Sequence, residues 1–283
     1  MNYQSPLYIL DDFEIDVKTI NFEEIVRLRK KLLAEFNLSG ETTIAIKNKQ
    51  YTKDEVIKQI DALKNLDDLE THILLFRNPE LLNFCENPKK AHNPAKVLKA
   101  FFDKPEITEK CKQIIVDAEL QALKYHLNNL DFLWPHEIIK FFNRTGYLYA
   151  DEASNIIDAN LLYLVDYIDE INEDNYAEQD QARMRFLKTL DFYFFLNEMQ
   201  EDFFDIRDSI AGSIINLTVR LQPVDLDFVK NVSRPLRQLE CEPVNMQLIK
   251  SNHQAFHSKK SIDIHWFWYA LGFLLLRGCL SAI

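Results

Sequence analysis

Residues 107–126 read ITEKCKQIIVDAELQALKYH. Within them Ile107, Cys111, Ile114, Ile115, Ala118 and Ala122 recur three or four positions apart, which puts all six on one face of an α-helix. The rest of the chain is written in the same language. It has 5 glycines in 283 residues, where an average chain is roughly 7% Gly. Large β-rich folds and doubly wound nucleotide folds need glycine at turns and phosphate loops. Helices joined by short connections do not. The fold class is therefore all-α: a multi-helix array with a small N-terminal helix–β-hairpin–helix module. Hydrophobic residues make up 47%, enough for an ordinary core, and 20 Phe with 11 Tyr predict thick aromatic packing between helices.

Towards the N-terminus, residues 1–20 read as an irregular or extended lead-in. Asn21 caps a helix whose first turn holds Glu23 and Glu24. Its apolar face is Phe22, Ile25, Val26, Leu32, Leu33 and Phe36, and Ser39-Gly40 ends it. The β-rich run Thr42–Ile46, a turn at Lys47-Asn48-Lys49 and a return strand at Gln50-Tyr51 predict a hairpin. Thr52-Lys53-Asp54-Glu55 is a capping box that opens a helix through Leu63. This helix, hairpin and helix form the N-terminal module, residues 1–66, with residues 67–283 as a helical domain. Short helices follow on either side of Asn78-Pro79, and residues 86–94 read as a loop.

Towards the C-terminus, Pro135 fits the first turn of a helix that Gly146 closes. Ala153, Ile156, Ile157, Leu161, Leu164 and Ile168 form the stripe of a long helix. A second long helix, about Tyr176–Met199, carries two stripes, Leu187-Leu190-Phe194 and Phe192-Phe195-Met199, and so belongs at the centre. Another runs about Glu201–Leu221, Pro235 and Pro243 break up the next region, and two helices finish the chain.

Charge is the strongest functional signal. Residues 151–208 hold 16 acidic and 4 basic side chains, a net of −12, against −11 for the whole chain. Two readings follow: solvated helix faces, or an anionic surface that steers a basic protein partner. Asp166, Asp169, Glu170, Glu173 and Asp174 are its candidate partner-binding residues. The acidic balance argues against nucleic acid as the main partner.

Glu201, Asp202 and Asp205 have the [D/E]DxxD spacing, which on a helix sets carboxylates on one face to hold Mg²⁺ with a diphosphate. The spacing is similar to that of helical isoprenoid synthases, and the resemblance implies a Mg-dependent helical enzyme. That family's second metal motif is not evident. His253 and His257, four apart, are a candidate metal grip without the Glu of HExxH or a third ligand. No catalytic residue and no cofactor site is assigned, since GxSxG, GxGxxG and P-loop patterns do not occur. Cys85, Cys111, Cys241 and Cys279 form no CxxC pair and read as reduced thiols, with Cys111 on a core face.

The run WFWYALGFLLL at residues 266–276 has Arg277 behind it. Eleven helical residues span about 16 Å, short of the roughly 30 Å of a bilayer core. The segment is a buried terminal helix, a membrane-interface anchor or a docking surface, with Trp266 and Trp268 as candidate partner-binding residues. The expectation is a non-enzymatic intracellular adaptor or subunit of a multiprotein assembly, cytoplasmic and acting through helical surfaces. The alternatives are a Mg-dependent helical enzyme using Asp202 and Asp205, and a peripheral membrane subunit held by its C-terminal aromatic segment. Self-association through a basic stretch, Lys89, Lys90, Lys96, Lys99 and Lys104, remains a further option.

Overall fold

The computed structural model describes residues 3–13, 15, 20–46, 49–90, 96, 97, 99, 105–145 and 151–258. The chain divides into two compact units at His126/Leu127. Helix dominates both, and among the described residues strand is confined to one two-stranded antiparallel hairpin. The all-α class with a small hairpin module is thus the observed one.

The first unit contains α1 (Leu7–Asp12), α2 (Phe22–Ser39), β1 (Thr43–Ile46), β2 (Lys49–Thr52), α3 (Lys53–Ala62), α4 (Leu66–Phe76), α5 (Pro79–Glu86) and most of α6 (Pro105–Asn128). Its local signals work as the spacing predicts. The Glu24 N–H donates to Asn21 Oδ1 at 3.0 Å, and the Asn21 N–H donates to Glu24 Oε2 at 3.1 Å. Thr52 and Glu55 repeat this reciprocal cap at the start of α3. Each box satisfies backbone donors that the first helical turn leaves without partners. Gly40 ends α2 at φ 68°, the left-handed conformation that a side chain penalises. The hairpin pairs Ile44 with Tyr51 and Ile46 with Lys49, and part of its expected turn, Lys47 and Asn48, lies outside the described residues.

One core serves this region. Leu7, Leu10, Ile25, Leu32, Ile46, Val56 and Ile60 meet in it, and it continues through Leu69 to Ile73 and Phe76 of α4. Residue 66, where the N-terminal module is expected to end, is the first residue of α4. The lead-in differs from expectation. Residues 7–12 are helical, because Leu7, Ile9 and Leu10 are all buried against the core. Six residues are too few for propensity to decide, so burial sets the conformation. Glu86 at the end of α5 ties this segment down. Its Oε1 accepts from the Ser5 N–H and its Oε2 from the Tyr8 hydroxyl, both at 2.9 Å. Glu86→Ala would leave a backbone N–H of fully buried Ser5 without its acceptor. The expected loss is about 2–3 kcal/mol of unfolding free energy. Urea denaturation of the variant measures it, and a loss below about 0.5 kcal/mol would remove Glu86 as the anchor.

The second unit contains α7 (Leu133–Thr145), α8 (Asp151–Glu170), α9 (Leu190–Asn197), α10 (Phe204–Leu221), α11 (Leu226–Leu236) and α12 (Pro243–His257). Three 3₁₀ turns, Tyr176–Glu178, Arg183–Lys188 and Glu201–Phe203, lie between them. Pro135 sits in the first turn of α7, Pro243 opens α12, and Pro235 is carried in the last turn of α11. Of these prolines only Pro235 departs from its expected role, since it lies inside a helix that ends one residue later.

The long helix expected over 176–199 is instead two 3₁₀ turns and the short α9. Side chains here compete with the helical ladder. Asn172 Oδ1 accepts from the N–H groups of Asp174 and Asn175 at 3.0 and 3.1 Å, and Asp180 Oδ1 accepts from Ala182 N–H at 2.8 Å. Thr189 then adopts an extended conformation, φ −104° and ψ 143°, immediately before α9. As a result Leu190 is 47% exposed, while Phe192, Tyr193, Phe195 and Leu196 are fully buried. The central position goes to α10, which packs on α8, α11 and α12 and buries Ile210, Ile214, Leu217 and Leu221.

Candidate functional site

Helix α8 buries Ala153, Ile157, Leu161, Leu164 and Ile168 against its neighbours, α10 above all. That stripe fixes what faces water. Asp166, Asp169 and Glu170 lie exposed at its C-terminal end, and Glu173 and Asp174 are exposed in the turn that follows. The turn is held by side-chain amides. Asn175 Nδ2 donates to the Glu170 carbonyl at 2.8 Å, and the Asn172 N–H donates to Asn175 Oδ1 at 2.9 Å. Five candidate acids are thereby gathered on one ordered edge. Among the described residues none of the five is in an ion pair.

One turn back on the same exposed face, Leu162 and Tyr163 are 53% and 42% exposed. Tyr163 stacks on Tyr167 with ring centroids 6.1 Å apart and nearly parallel planes. The Arg183 guanidinium lies 4.8 Å from the Tyr167 ring centroid and bonds to the Tyr163 hydroxyl. Burial raises the Tyr167 hydroxyl pKa, against the field of Arg183. This ladder fixes the half-exposed Tyr163 ring one turn before Asp166 and two before Glu170. Sequence reasoning missed it, although Tyr163 and Tyr167 stand at the i, i+4 spacing that brings side chains together.

Glu201, Asp202 and Asp205 are exposed, the first two in a 3₁₀ turn and the third in the first turn of α10. Acidic side chains are favoured there by the helix dipole. Among the described residues no three His, Cys, Asp or Glu side chains converge in a way that could hold a metal ion.

His253 and His257 are brought together, with ring centroids 4.3 Å apart, but they turn onto α11. Ser233 Oγ lies 3.2 Å from His253 Nδ1 and 3.3 Å from His257 Nε2, and donates its single proton to the Lys230 carbonyl at 3.0 Å. Both imidazole nitrogens must then donate to Ser233, which fixes the tautomers. His253 Nε2 is left as an acceptor, 3.3 Å from Arg237 Nη1. Burial first, then the fields of His257 and Arg237, holds the His253 pKa below the ordinary histidine value. Next to this array a cleft of about 330 Å³ opens between the end of α11 and α12.

In the first unit Cys85 and Cys111 are buried and free, as is Cys241 in the second. Burial pushes the Cys111 thiol up to about 11, which makes it inert rather than nucleophilic. Trp266, Trp268 and the rest of the C-terminal aromatic run lie outside the described residues, as do Gly146 and residues 91–94 of the expected 86–94 loop, whose described part holds the end of α5 and a 3₁₀ turn at Pro88–Lys90. Among the described residues no helix is long and apolar enough to cross a membrane. Comparison with known proteins finds no matching family model, no matching curated protein and no matching solved structure.

Proposed function

We propose that this chain is a non-enzymatic cytoplasmic adaptor or assembly subunit that takes a basic, amphipathic protein segment on the exposed face of α8. The observation that carries the reading is the juxtaposition on that face. Five exposed acids, none of them in an ion pair among the described residues, follow the exposed Leu162/Tyr163 pair along the chain, and Arg183 and Tyr167 hold the Tyr163 ring in place. Acids give approach rate and register, and exposed apolar area gives residence. A solvated face needs the first and not the second.

Affinity capture on the full chain, beside a variant with Asp166, Asp169, Glu170, Glu173 and Asp174 changed to Asn or Gln, tests it. A basic partner is expected to be retained by the parent and lost from the variant. With that partner in hand, association should slow roughly tenfold or more at low salt. The difference should vanish at 1 M salt, where the Debye length is about 3 Å. Equal capture by both chains, or a rate difference that ignores salt, would leave only the solvated face.

A further inference from the structure

The cleft between α11 and α12 is built from both sides. Asn197, at the end of α9, grips the connection: its Nδ2 donates to the Gln238 carbonyl at 2.6 Å, and its Oδ1 accepts from the Glu240 N–H at 2.8 Å. Asp208 of α10 grips the start of α12. Its Oδ1 accepts from the Glu242 N–H and from Asn245 Nδ2, both at 2.9 Å. Leu239 sits between these clamps, and with Met246 and Ile249 it gives the cleft an apolar floor. Leu239 and Ile249 are buried, whereas Met246 is 50% exposed.

The rim has the opposite character. Arg237, Lys250 and His253 line it, and Arg234 is exposed nearby on α11. Among the described residues no carboxylate forms an ion pair with Arg237 or Lys250. In a chain of net charge −11, a rim of cations that are in no ion pair among the described residues, over an apolar floor, is a local inversion. Arg237 turns Nη1 to His253, and among the described residues its other N–H groups make no side-chain bond.

We propose that this cleft binds a small amphiphilic anion: one oxyanion head, a carboxylate or a phosphate monoester, held by Arg237 and Lys250, with an apolar body on Leu239, Met246 and Ile249. The volume of about 330 Å³ lies at the lower end of small-molecule sites. Guanidinium and carboxylate or phosphate match in bidentate geometry. The head also changes what His253 can do. Burial first, then the cationic fields of His257 on its own helix, of Arg237 just past the end of α11 and of Arg234 on α11, lower its pKa, which favours the neutral ring that accepts from Arg237. The one carboxylate of α10 that α12 engages, Asp208, is bound at the opposite, N-terminal end of α12. An anion at the rim offsets those cations, so protonation of His253 and binding of the anion favour each other.

Calorimetric titration of the full chain with phenylacetate and with phenyl phosphate tests the proposal. Benzyl alcohol supplies the ring without the head, and inorganic phosphate supplies a head without the ring. The expected result is binding of one or both aromatic anions, at least tenfold tighter than either control. Whichever binds names the head the site prefers. Arg237→Gln and Lys250→Gln, both exposed positions, should each weaken binding at least tenfold with an unchanged melting temperature. Arg185→Gln, exposed outside the cleft, should not change it. Phenylacetate keeps its charge between pH 7.5 and 5.5, so a bound carboxylate should tighten over that range in the parent and not in His253→Gln. Failure of both aromatic anions to bind, equal binding of benzyl alcohol, or full affinity in the Arg237 and Lys250 variants would overturn the site.

Discussion

Replacing Glu119 by Gln is expected to raise the stability of the chain at pH 8 by on the order of 4 kcal/mol and to change it little at pH 4. Glu119 lies on α6 beside Ala118, on the face that Cys111, Ile115 and Ala122 bury. Its side chain is 7% exposed, and Oε1 has no hydrogen-bond partner among the described residues. Burial lifts its pKa from 4.5 to about 8. The sign is the reverse of a salt-bridged acid. Below pH 4.5 the carboxyl is protonated in both folded and unfolded chains and contributes nothing to pH dependence. Between 4.5 and 8 the unfolded chain ionises and the folded chain holds its proton, so stability falls as pH rises. Above 8 both states are ionised and the loss is complete.

The expected slope is about 1.4 kcal/mol per pH unit for the one proton involved. Glutamine matches the protonated carboxyl in shape and buries a comparable polar head, so the desolvation of that head cancels in the comparison. Denaturation of parent and variant at pH 4, 6 and 8 measures the difference while other titrating groups drop out. A difference that stays flat with pH would mean that Glu119 is ionised in the folded chain.

Glu119 also marks a limit of sequence reading. In the 107–126 stretch the helix is where the spacing puts it and Cys111, Ile115, Ala118 and Ala122 are buried as expected, with Ile114 half-buried, yet a Glu four residues from Ile115 reads as solvated, because Glu is almost never fully buried without a partner. Signals contained within a few residues were legible. Asn21 with Glu24 and Thr52 with Glu55 are self-contained caps, and Gly40 stops a helix by its own conformation. Features made by distant residues were not. Residues 7–12 are helical because of the core they enter, which no local pattern announces. The acids of α8 were visible as a contiguous block, but the Arg183–Tyr163 contact spans 20 residues of sequence. The histidine pair was found by spacing, and its environment was not. Ser233 of α11 and Arg237 just past its end reach it from positions 20 and 16 residues away from His253.

The break before α9 gives the remaining large effect. Phe192 is fully buried. Its ring centroid lies 4.7 Å from that of Phe132, 4.9 Å from Phe186 in an edge-on arrangement, and 5.2 Å from Tyr193. Phe132 also meets Phe195 at 5.2 Å, so the residue that leads into α7 is joined to α9 through one aromatic cluster. Phe192→Ala removes the ring at its centre and is expected to cost about 3–5 kcal/mol, roughly a fifth or more of a total that is typically about 5–15 kcal/mol. Two residues earlier, Leu190→Ala should cost no more than about 0.5–1 kcal/mol, since half of that side chain is already in water. The pair is diagnostic. A continuous helix over 176–199 would seat Leu190 in a buried stripe with Leu187 and Phe194, and the two substitutions would then be comparably damaging. With Thr189 extended, the stripe is interrupted: Leu187 stays buried in its 3₁₀ turn while Leu190 is turned towards water. Urea denaturation of both variants decides it: a Leu190→Ala loss approaching that of Phe192→Ala would restore the continuous helix and remove the break.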